Sequence, residues 1–435
     1  MLDILRQQLH DDLTAGARWC LALSGGVDST ALLHAVVQLG KAYPGNSIRA
    51  VHVNHHLHPD AGAWAATCRA LCDALGVELT CCDVAVAAGN GNSPEAAARR
   101  ARYGALTKLL LDDERLLTAH HRDDQVETFL LRMLRGAGPH GLGGIEPRRP
   151  FGRGWLVRPL LDVSRHALVA YAGEQNLSWI EDPANIDTKF DRNFLRHRVL
   201  PVLHERWPGL GETVARAARL SGEAARMLDE LAGQDMRCNG AALPVDTLAV
   251  ETLAGLSWPR RRNVIRYWLR RHGLAPPAEA RLRVGLEQLL HARSDRMPLL
   301  EWGGGQIRRY RGSLYALDYD PDPAGKLPRE FSWDGRDCLD LGALRGRLKF
   351  LSGHPVPGRA SGHWIVRFRI GGERFSTGGQ HKTVKHLFQE LGIVPWMRAH
   401  VPLLYRADCL VAVGDLWQSG DAGAPVAWEG HPPVR

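Results

Sequence analysis

The sequence predicts a doubly wound α/β domain with a parallel sheet, of the Rossmann-like type, followed by a mainly helical domain and a small α+β domain. Two observations support this prediction. Short apolar runs alternate with helical segments through the first half of the chain, as in strands of a parallel sheet joined by helices. Polar clusters follow three of these runs where each predicted strand ends, and ligands bind at that edge of such sheets.

The predicted elements follow in a regular order. An amphipathic helix over 1–18 precedes a buried strand, WCLAL, which ends at two glycines. The next helix ends at Gly40, a glycine typical of a C-cap. Further strands are predicted at 47–54, 77–84 and 114–119. The helices between and after them are predicted at 60–75, from Pro94 with Ser93 as N-cap, and at 123–135.

The rest of the chain divides into two further domains. A chain of 435 residues with 45% hydrophobic residues has room for roughly three domains. The Gly/Pro/Arg-rich stretch 136–154 is predicted to be a loop, and 317–330 a linker. We therefore predict three domains, over 1–208, 209–320 and 331–435. The first is the doubly wound domain, the second is helical and rich in arginine, and the third is small and of the α+β type.

Composition narrows the function. A formal net charge of +8 favours a polyanionic partner. The eight cysteines include no C-x2-C pair, so neither a zinc site nor a disulfide framework is predicted, and reduced thiols are expected. The start of the chain lacks the apolar core of a signal peptide, and no apolar run has the length of a membrane span. We expect a cytoplasmic protein.

The segment SGGVDS is the strongest motif. Gly25 and Gly26 let backbone N–H groups approach an anion, and the helix that follows directs its positive end at the same point. The alternative is an ordinary strand–turn–helix with a serine cap. Asp28 cannot lie beside a phosphate without repulsion, so a bridging Mg²⁺ is predicted. The residues of this loop predicted to bind the phosphate-bearing ligand are Ser24, Gly25, Gly26, Val27, Asp28 and Ser29.

This segment resembles the signature of N-type ATP pyrophosphatases, the PP-loop enzymes, which transfer AMP and release pyrophosphate. Within that superfamily the chain is similar to the tRNA(Ile)-lysidine synthases. The segments that carry the resemblance are VHVNHHLHPDA, SPEAAARRARY, LLTAHHRDDQVET, LRGAGPHGLGGI, DPANIDTKFDRNFLRHRVLP and, near the far end, GGERFSTGGQHKTVKHLFQELGIVPWMRAHVPLLY. The resemblance covers nearly all of 19–201 and much of 365–417, whereas the middle domain matches only loosely.

The resemblance implies a two-step reaction at the wobble cytidine of the CAU anticodon of tRNA(Ile). ATP adenylates the oxygen on carbon 2 of cytosine. The ε-amine of free L-lysine then attacks that carbon and expels AMP. ATP and Mg²⁺ are the implied cofactors, and tRNA(Ile) and free L-lysine the implied partners. The sequence leaves open whether the chain forms a homodimer.

Several polar residues suit this chemistry. Asp28 and Asp124 are predicted to share Mg²⁺, and Arg99 to hold the α-phosphate or the anticodon backbone, although a solvated basic face would look the same. Asp124 and Glu127 lie one helical turn apart, and either could bind or deprotonate lysine. Contacts to AMP or substrate are predicted for histidines and an asparagine at the strand ends, His52, Asn54, His55 and His120.

The domains over 209–320 and 331–435 are predicted to contact tRNA, and a set of basic residues with one asparagine, all outside this cluster, is predicted to hold tRNA phosphates. These residues are Arg192, Asn193, Arg196, Arg198, Arg374, Lys382 and Lys385, with the arginines of 260–283. A salt-bridged helix face is the alternative for the first four. Two other functions stay open: a PP-loop enzyme that adenylates a different tRNA base, and a non-catalytic tRNA-binding protein.

Overall fold

The computed structural model of the chain forms two compact units, Met1–Leu228 and Asp229–Arg435, which are described separately. The structure describes residues 1–56, 58–85, 94–183, 187–237, 247–293, 296–318, 328–351, 364–377, 380–419, 425–432 and 434. The predicted N-cap Ser93 and most of the predicted linker at 317–330 lie outside these ranges. None of the described helices is long and apolar enough to cross a membrane.

A six-stranded sheet forms the centre of the first unit, in the order β3-β2-β1-β4-β6-β5. Neighbouring strands are parallel except at the β5–β6 edge, where the pairing is antiparallel. The strands are β1 (Arg18–Ala22), β2 (Ser47–Asn54), β3 (Glu78–Asp83), β4 (Arg115–Leu117), β5 (Arg148–Phe151) and β6 (Gly154–Val157). The predicted doubly wound fold is confirmed.

The helices of this unit connect the strands and cover the sheet. They are α1 (Leu2–Gln8), α2 (His10–Thr14), α3 (Val27–Ala42), α4 (Ala61–Leu75), α5 (Pro94–Leu109), α6 (Arg122–Leu134), α7 (Pro139–Leu142), α8 (Arg165–Glu174), α9 (Asp191–Phe194) and α10 (Leu200–Arg206), with a π-helical turn at Leu195–Val199. A longer helix, α11 (Leu210–Arg237), follows. The predicted single helix over 1–18 is wrong, because the chain breaks at Leu9 and enters β1 at Arg18.

The order of the strands fixes the position of the site. From β1 the chain moves to β2 on one side, and β4 pairs with β1 on the other side. The sheet therefore reverses direction at β1, and crevices for ligands form at such reversals, outside the carboxyl ends of the strands. The loop after β1 and the loop after β4 both lie at this edge.

The stretch 136–154 is more ordered than predicted. It contains α7 and the edge strand β5, which pairs with β6 through a tight turn at 152–153. Gly154 packs so closely on Glu114 that an added Cβ would lie 2.1 Å from its carbonyl oxygen. The sequence did not predict this hairpin. The glycines and prolines of 136–154 are typical of a loop, and the strand that pairs with β5 lies almost entirely after that stretch.

The second unit begins with helices around a four-stranded antiparallel sheet, in the order β7-β10-β9-β8. Its buried core contains Trp268, Leu286 and Ile307. The elements are β7 (Thr247–Ala249), α12 (Val250–Ala254), α13 (Trp258–Arg271), α14 (Glu279–His291), β8 (Leu299–Trp302), β9 (Gly305–Tyr310) and β10 (Ser313–Leu317). The sheet was not predicted within the helical domain.

The remainder of this unit is rich in antiparallel strands, with one helix, as the α+β prediction requires. The sheets have the orders β11-β14-β17-β18-β19, β12-β13-β20 and β15-β16. The elements are β11 (Glu330–Trp333), β12 (Leu339–Asp340), β13 (Arg347–Phe350), β14 (Trp364–Phe368), β15 (Arg374–Thr377), β16 (Gln380–Thr383), α15 (Val384–Glu390), β17 (Pro402–Arg406), β18 (Cys409–Val413), β19 (Trp417–Gln418) and β20 (Val426–Glu429).

Candidate functional site

The loop between β1 and α3 closes around two serine hydroxyls. The Oγ atoms of Ser24 and Ser29 lie 3.0 Å apart, and the Ser24 N–H donates to Ser29 Oγ at 3.2 Å. The Ser29 hydroxyl in turn donates to the Gly26 carbonyl at 3.1 Å. These bonds hold the loop against the first turn of α3, whose N-terminal N–H groups carry partial positive charge. The loop is therefore fixed in shape beside a helix end that favours an anion.

The two glycines of this loop are required for different reasons. Gly25 has a φ of +87°, and a Cβ added there would lie 2.3 Å from Ile180 Cδ1. Gly26 has a φ of −70°, and an added Cβ would have only Ser24 Oγ within 4 Å, at 3.7 Å. The fold thus explains the absence of a side chain at Gly25. At Gly26 the close approach of a ligand explains it better.

Three acidic side chains surround one buried histidine beside the loop. His121 Nε2 lies 3.6 Å from Asp28 Oδ2 and 3.5 Å from Asp124 Oδ2, and its Nδ1 lies 3.6 Å from Asp123 Oδ2. Asp28 is on the first turn of α3, and the other two acids are on the first turn of α6. His121 thus joins the carboxyl ends of β1 and β4, and brings Asp28 and Asp124 to one place.

The electrostatics of this group are those of a cation held between anions. Burial alone would lower the pKa of His121, but the close carboxylates of Asp123 and Asp28 and the charge of Asp124 raise it to about 10. Burial acts against ionisation of Asp124, yet the charge of His121 holds its pKa below the usual value. One imidazolium facing three carboxylates leaves the group with net negative charge.

Glu127 lies beneath this group and is completely buried. Arg196 donates to both of its oxygens, from Nε at 2.7 Å and from Nη2 at 3.1 Å, and Arg192 Nε forms an ion pair with Oε2 at 3.0 Å. Arg196 Nη2 also lies 3.6 Å from Asp124 Oδ1. The prediction that Glu127 meets lysine therefore faces an obstacle, since both carboxylate oxygens are engaged.

The end of β2 supports the loop from the side. The buried His52 donates from Nδ1 to the Leu23 carbonyl at 2.9 Å, with Cys68 Sγ at 3.5 Å. Asn54 is buried too, and its Oδ1 accepts the His56 N–H at 2.9 Å. His52 and Asn54 thus lie at the strand end where AMP contacts were predicted. His52 Nδ1 and Asn54 Oδ1 are already engaged in hydrogen bonds within the protein.

The two other predicted histidines also lie at this edge. His55 Nδ1 is buried without a hydrogen-bond partner among the described residues, and burial and the charge of Arg102 lower the pKa of His55. His120 Nδ1 lies 3.0 Å from Thr118 Oγ1. Burial, with the charge of Arg158 among the contributions, lowers the pKa of His120 to about 3. Both rings are therefore neutral near pH 7 and suit hydrogen bonding.

Arg158 is a component of the site that sequence reasoning missed. It follows β6, is 7% exposed, and donates from Nη1 to the Glu146 carbonyl at 2.5 Å. Its Nε is buried without a partner in the described part of the chain. The exposed Arg99, on α5, lies over the ring of Tyr103 with its guanidinium carbon 5.0 Å from the centroid. The other motifs were found as polar residues that follow a predicted strand. Arg158 directly follows β6, so the same rule could have identified it.

Comparison with known proteins identifies the family. The profile described as "PP-loop domain" matches residues 3–203, "TilS substrate binding domain" matches 248–315 and "TilS substrate C-terminal domain" matches 365–428. A tRNA(Ile)-lysidine synthase of Alkalilimnicola ehrlichii is 44% identical over 92% of this chain and 89% of its own length. The chain belongs to the tRNA(Ile)-lysidine synthase family. A member from Methylococcus capsulatus is 39% identical over 98% of this chain and 97% of its own.

Within the family's PP-loop region, the predicted tRNA-binding residues have different surroundings. Arg192 and Arg196 point to Glu127, as described above. Asn193 donates from Nδ2 to the Asp187 carbonyl at 2.9 Å. Arg198 is exposed, and no ion pair is found for it among the described residues. Only Arg198 of the four has a side chain fully available to an external phosphate.

Most of the predicted contacts in the second unit are paired internally. Lys382 Nζ lies 3.4 Å from Glu390 Oε1, whereas Arg374 and Lys385 are exposed and form no ion pair in the described part of the chain. Four arginines of α13 pair with acids of their own unit, Arg260 with Asp235, Arg262 and Arg266 with Glu279, and Arg270 with Asp229. These four form a salt-bridged helix face, and tRNA contact by the arginines of 260–283 stays a prediction.

Two buried cysteines near the site are poorly suited to act as nucleophiles. Burial raises the pKa of Cys68 to about 12 and that of Cys72 to about 11. A thiol must ionise to act as a nucleophile, so both stay as neutral thiols near pH 7. Among the described residues, no group of three or more His, Cys, Asp or Glu side chains could hold a metal ion.

Proposed function

We propose that this chain joins free L-lysine to carbon 2 of the wobble cytidine of the CAU anticodon of tRNA(Ile), at the expense of ATP. The observation that carries the proposal is the meeting of the SGG loop with Asp28, Asp124 and His121 at the switch point of the sheet. A phosphate cradle beside a carboxylate group suits AMP transfer, because the leaving pyrophosphate and the reacting phosphate need separate partners.

The loop would hold the pyrophosphate part of ATP. The hydroxyls of Ser24 and Ser29 and the N-terminal N–H groups of α3 supply hydrogen-bond donors, and Gly26 leaves the space that a bound phosphate needs. His52 and Asn54, at the neighbouring strand end, are positioned for the nucleoside part. We propose that the guanidinium groups of Arg99 and Arg158 bind the negatively charged α-phosphate or a phosphate of the anticodon backbone.

Asp28 and Asp124 fit a Mg²⁺ ion. Asp28 Oδ1 is buried without a hydrogen-bond partner among the described residues, and Asp124 Oδ1 has Arg196 only at 3.6 Å. Two carboxylates suit Mg²⁺, which usually keeps water molecules and substrate phosphates as its other ligands. When bound, the ion supplies positive charge against the phosphate oxygens. The net negative charge around His121 favours the binding of that cation.

The same carboxylates offer a place for the lysine amine. The attacking nitrogen must be neutral, so it needs an acceptor for its proton. Asp124 and the partly exposed Asp123 border the site, whereas Glu127 is enclosed by Arg196 and Arg192. We propose that Glu127 is a positioning residue, which holds Arg196 beside Asp124, and that Asp124 is the carboxylate nearer to lysine.

The predicted domains over 209–320 and 331–435, which lie mostly in the second unit, are proposed to bind the body of tRNA(Ile). Labelled lysine offered to purified isoleucine and methionine tRNAs with a CAU anticodon tests the whole proposal. We expect incorporation into the isoleucine tRNA alone, dependent on ATP, with AMP and pyrophosphate released in equal amounts. Release of AMP without incorporation of lysine would contradict the proposal, as would incorporation into neither tRNA.

A further inference from the structure

A basic cavity lies within the second unit. It has a volume of about 350 Å³ and opens between the β9–β10 turn and the segment after α15. Three of its seven lining residues are arginines and none is acidic; they are Arg296, Met297, Tyr310, Arg311, Gln389, Pro395 and Arg398. None of these residues belongs to the sites predicted from the sequence.

Two of these arginines are held in place by neutral oxygen atoms. Arg398 donates from Nε to the Ile393 carbonyl and from Nη2 to the Tyr310 hydroxyl, both at 2.9 Å. Arg311 donates from Nη2 to the Gln389 carbonyl at 2.6 Å. Such bonds fix the direction of a guanidinium and leave its positive charge uncompensated. The remaining N–H groups are therefore pre-positioned for an anion, at a reduced entropic cost of binding.

The charges in the cavity repel one another. The guanidinium carbons of Arg311 and Arg398 lie 5.3 Å and 5.8 Å from the centroid of the same ring, that of Tyr310. Among the described residues, no Asp or Glu forms an ion pair with Arg296, Arg311 or Arg398, in contrast to the paired arginines of α13. Both guanidiniums line the cavity beside Tyr310 without a paired carboxylate, so an anion bound in the cavity would neutralise positive charge that the described residues leave uncompensated.

We infer that this cavity binds a phosphate group of the tRNA backbone. Guanidinium forks match the paired oxygens of a phosphate, and the volume falls in the range of ligand pockets, so that a nucleotide and not only its phosphate has room. The inference rests on the proposed function, which supplies the polyanion. A free nucleotide carries the same phosphate chemistry, so the test must distinguish the two sources.

The test is filter binding of tRNA(Ile) to the full-length chain across a salt series. Met297→Glu adds a negative charge to the cavity at a side chain that is 58% exposed, and Met297→Gln is its neutral match. Arg311→Gln removes one of the fixed cations. The control is Arg336→Gln, an exposed arginine of the same unit outside the cavity.

We expect Met297→Glu and Arg311→Gln each to weaken tRNA binding by about tenfold, as for the loss of a charge-assisted hydrogen bond. Arg311→Gln should also reduce the slope of log affinity against log salt by roughly 0.7 to 0.9, the value for one phosphate contact. Met297→Gln and Arg336→Gln should bind nearly as the unchanged chain does. At saturating tRNA, lysine incorporation should keep its maximal rate.

Two results would overturn the inference. Unchanged tRNA affinity and salt slope in folded Met297→Glu and Arg311→Gln would remove the cavity from the tRNA surface. A loss of ATP or AMP affinity in these variants, with tRNA binding intact, would assign the cavity to a free nucleotide. Failure of the proposed function is a separate result, because it would show as absent lysine incorporation by the unchanged chain.

Discussion

Alanine at Gly25 and alanine at Gly26 are expected to damage the protein in different ways. At Gly25 the φ of +87° is unfavourable for alanine by about 1–2 kcal/mol. The new Cβ would also lie 2.3 Å from Ile180 Cδ1, and repacking of this kind costs about 1–3 kcal/mol. We therefore expect Gly25→Ala to lower the free energy of unfolding by about 2–5 kcal/mol.

The packing part of this loss can be separated from the backbone part. Ile180→Val deletes the Cδ1 atom that the new Cβ would meet. In the double variant Gly25→Ala/Ile180→Val, the loss in free energy of unfolding should be smaller than the sum of the two single losses by about 1–3 kcal/mol. The contribution of the left-handed backbone should remain.

Gly26→Ala should leave stability nearly unchanged. Its φ of −70° suits alanine, and its Cβ would meet only Ser24 Oγ at 3.7 Å. The smaller entropy of the unfolded chain and the poorer N-cap are each worth less than about 1 kcal/mol and oppose each other. If the loop holds phosphate at this point, the methyl group stands where the ligand binds, and ATP affinity should fall by at least about tenfold.

Urea unfolding and ATP titration calorimetry, both on the full-length chain, measure these effects. We expect a stability defect in Gly25→Ala that is less than additive with that of Ile180→Val, and an ATP-binding defect in a stable Gly26→Ala. Normal ATP affinity in Gly26→Ala would exclude a phosphate at that glycine. A Gly25→Ala protein as stable as the unchanged chain would exclude the clash with Ile180.

Three further predictions concern the acids and the histidine. Asp28→Asn should reduce AMP formation by at least about a hundredfold in a folded protein, since it weakens a carboxylate ligand of the Mg²⁺ proposed beside the reacting phosphates; near-normal formation would exclude the metal role. Glu127→Gln should slow adenylation and lysine transfer alike by about tenfold or more, because both depend on the position of Arg196; in rapid-quench experiments, slowing of lysine transfer alone would restore the lysine-binding role. The pKa of His120 falls from an ordinary 6.5 to about 3 on folding, so its neutral form stabilises the protein above pH 6.5 and the stabilisation is lost as the pH falls toward 3. In urea unfolding, His120→Asn should lose less stability in acid than the unchanged chain does. An equal loss would show that His120 is not the source of this acid sensitivity.

The edge of the sheet was predictable because local sequence determines it. Apolar runs define the strands, and the polar residues directly after them must lie at one edge of a parallel sheet. This rule is enough to place Ser24, Asp28, His52 and Asp124 together. The same rule, applied to the residue after β6, reaches Arg158.

What sequence could not supply was the identity of distant partners. Glu127 has the same spacing from Asp124 whether it faces lysine or a buried arginine, and Arg196 lies about seventy residues further along the chain. The arginines of α13 look alike whether they face tRNA or an acid such as Glu279 on another helix. Long-range pairing decides such roles, and helical spacing does not encode it.

We propose that the strand-edge site transfers AMP to cytidine before lysine reacts. The order of the two steps can be measured in a single-turnover experiment with ATP labelled at the α-phosphate, Mg²⁺ and tRNA(Ile), with lysine omitted. We expect the label to appear on the tRNA in step with pyrophosphate release, and to leave the tRNA as AMP when unlabelled lysine is added. Pyrophosphate release without labelled tRNA, or a requirement for lysine before any pyrophosphate forms, would exclude this order of steps.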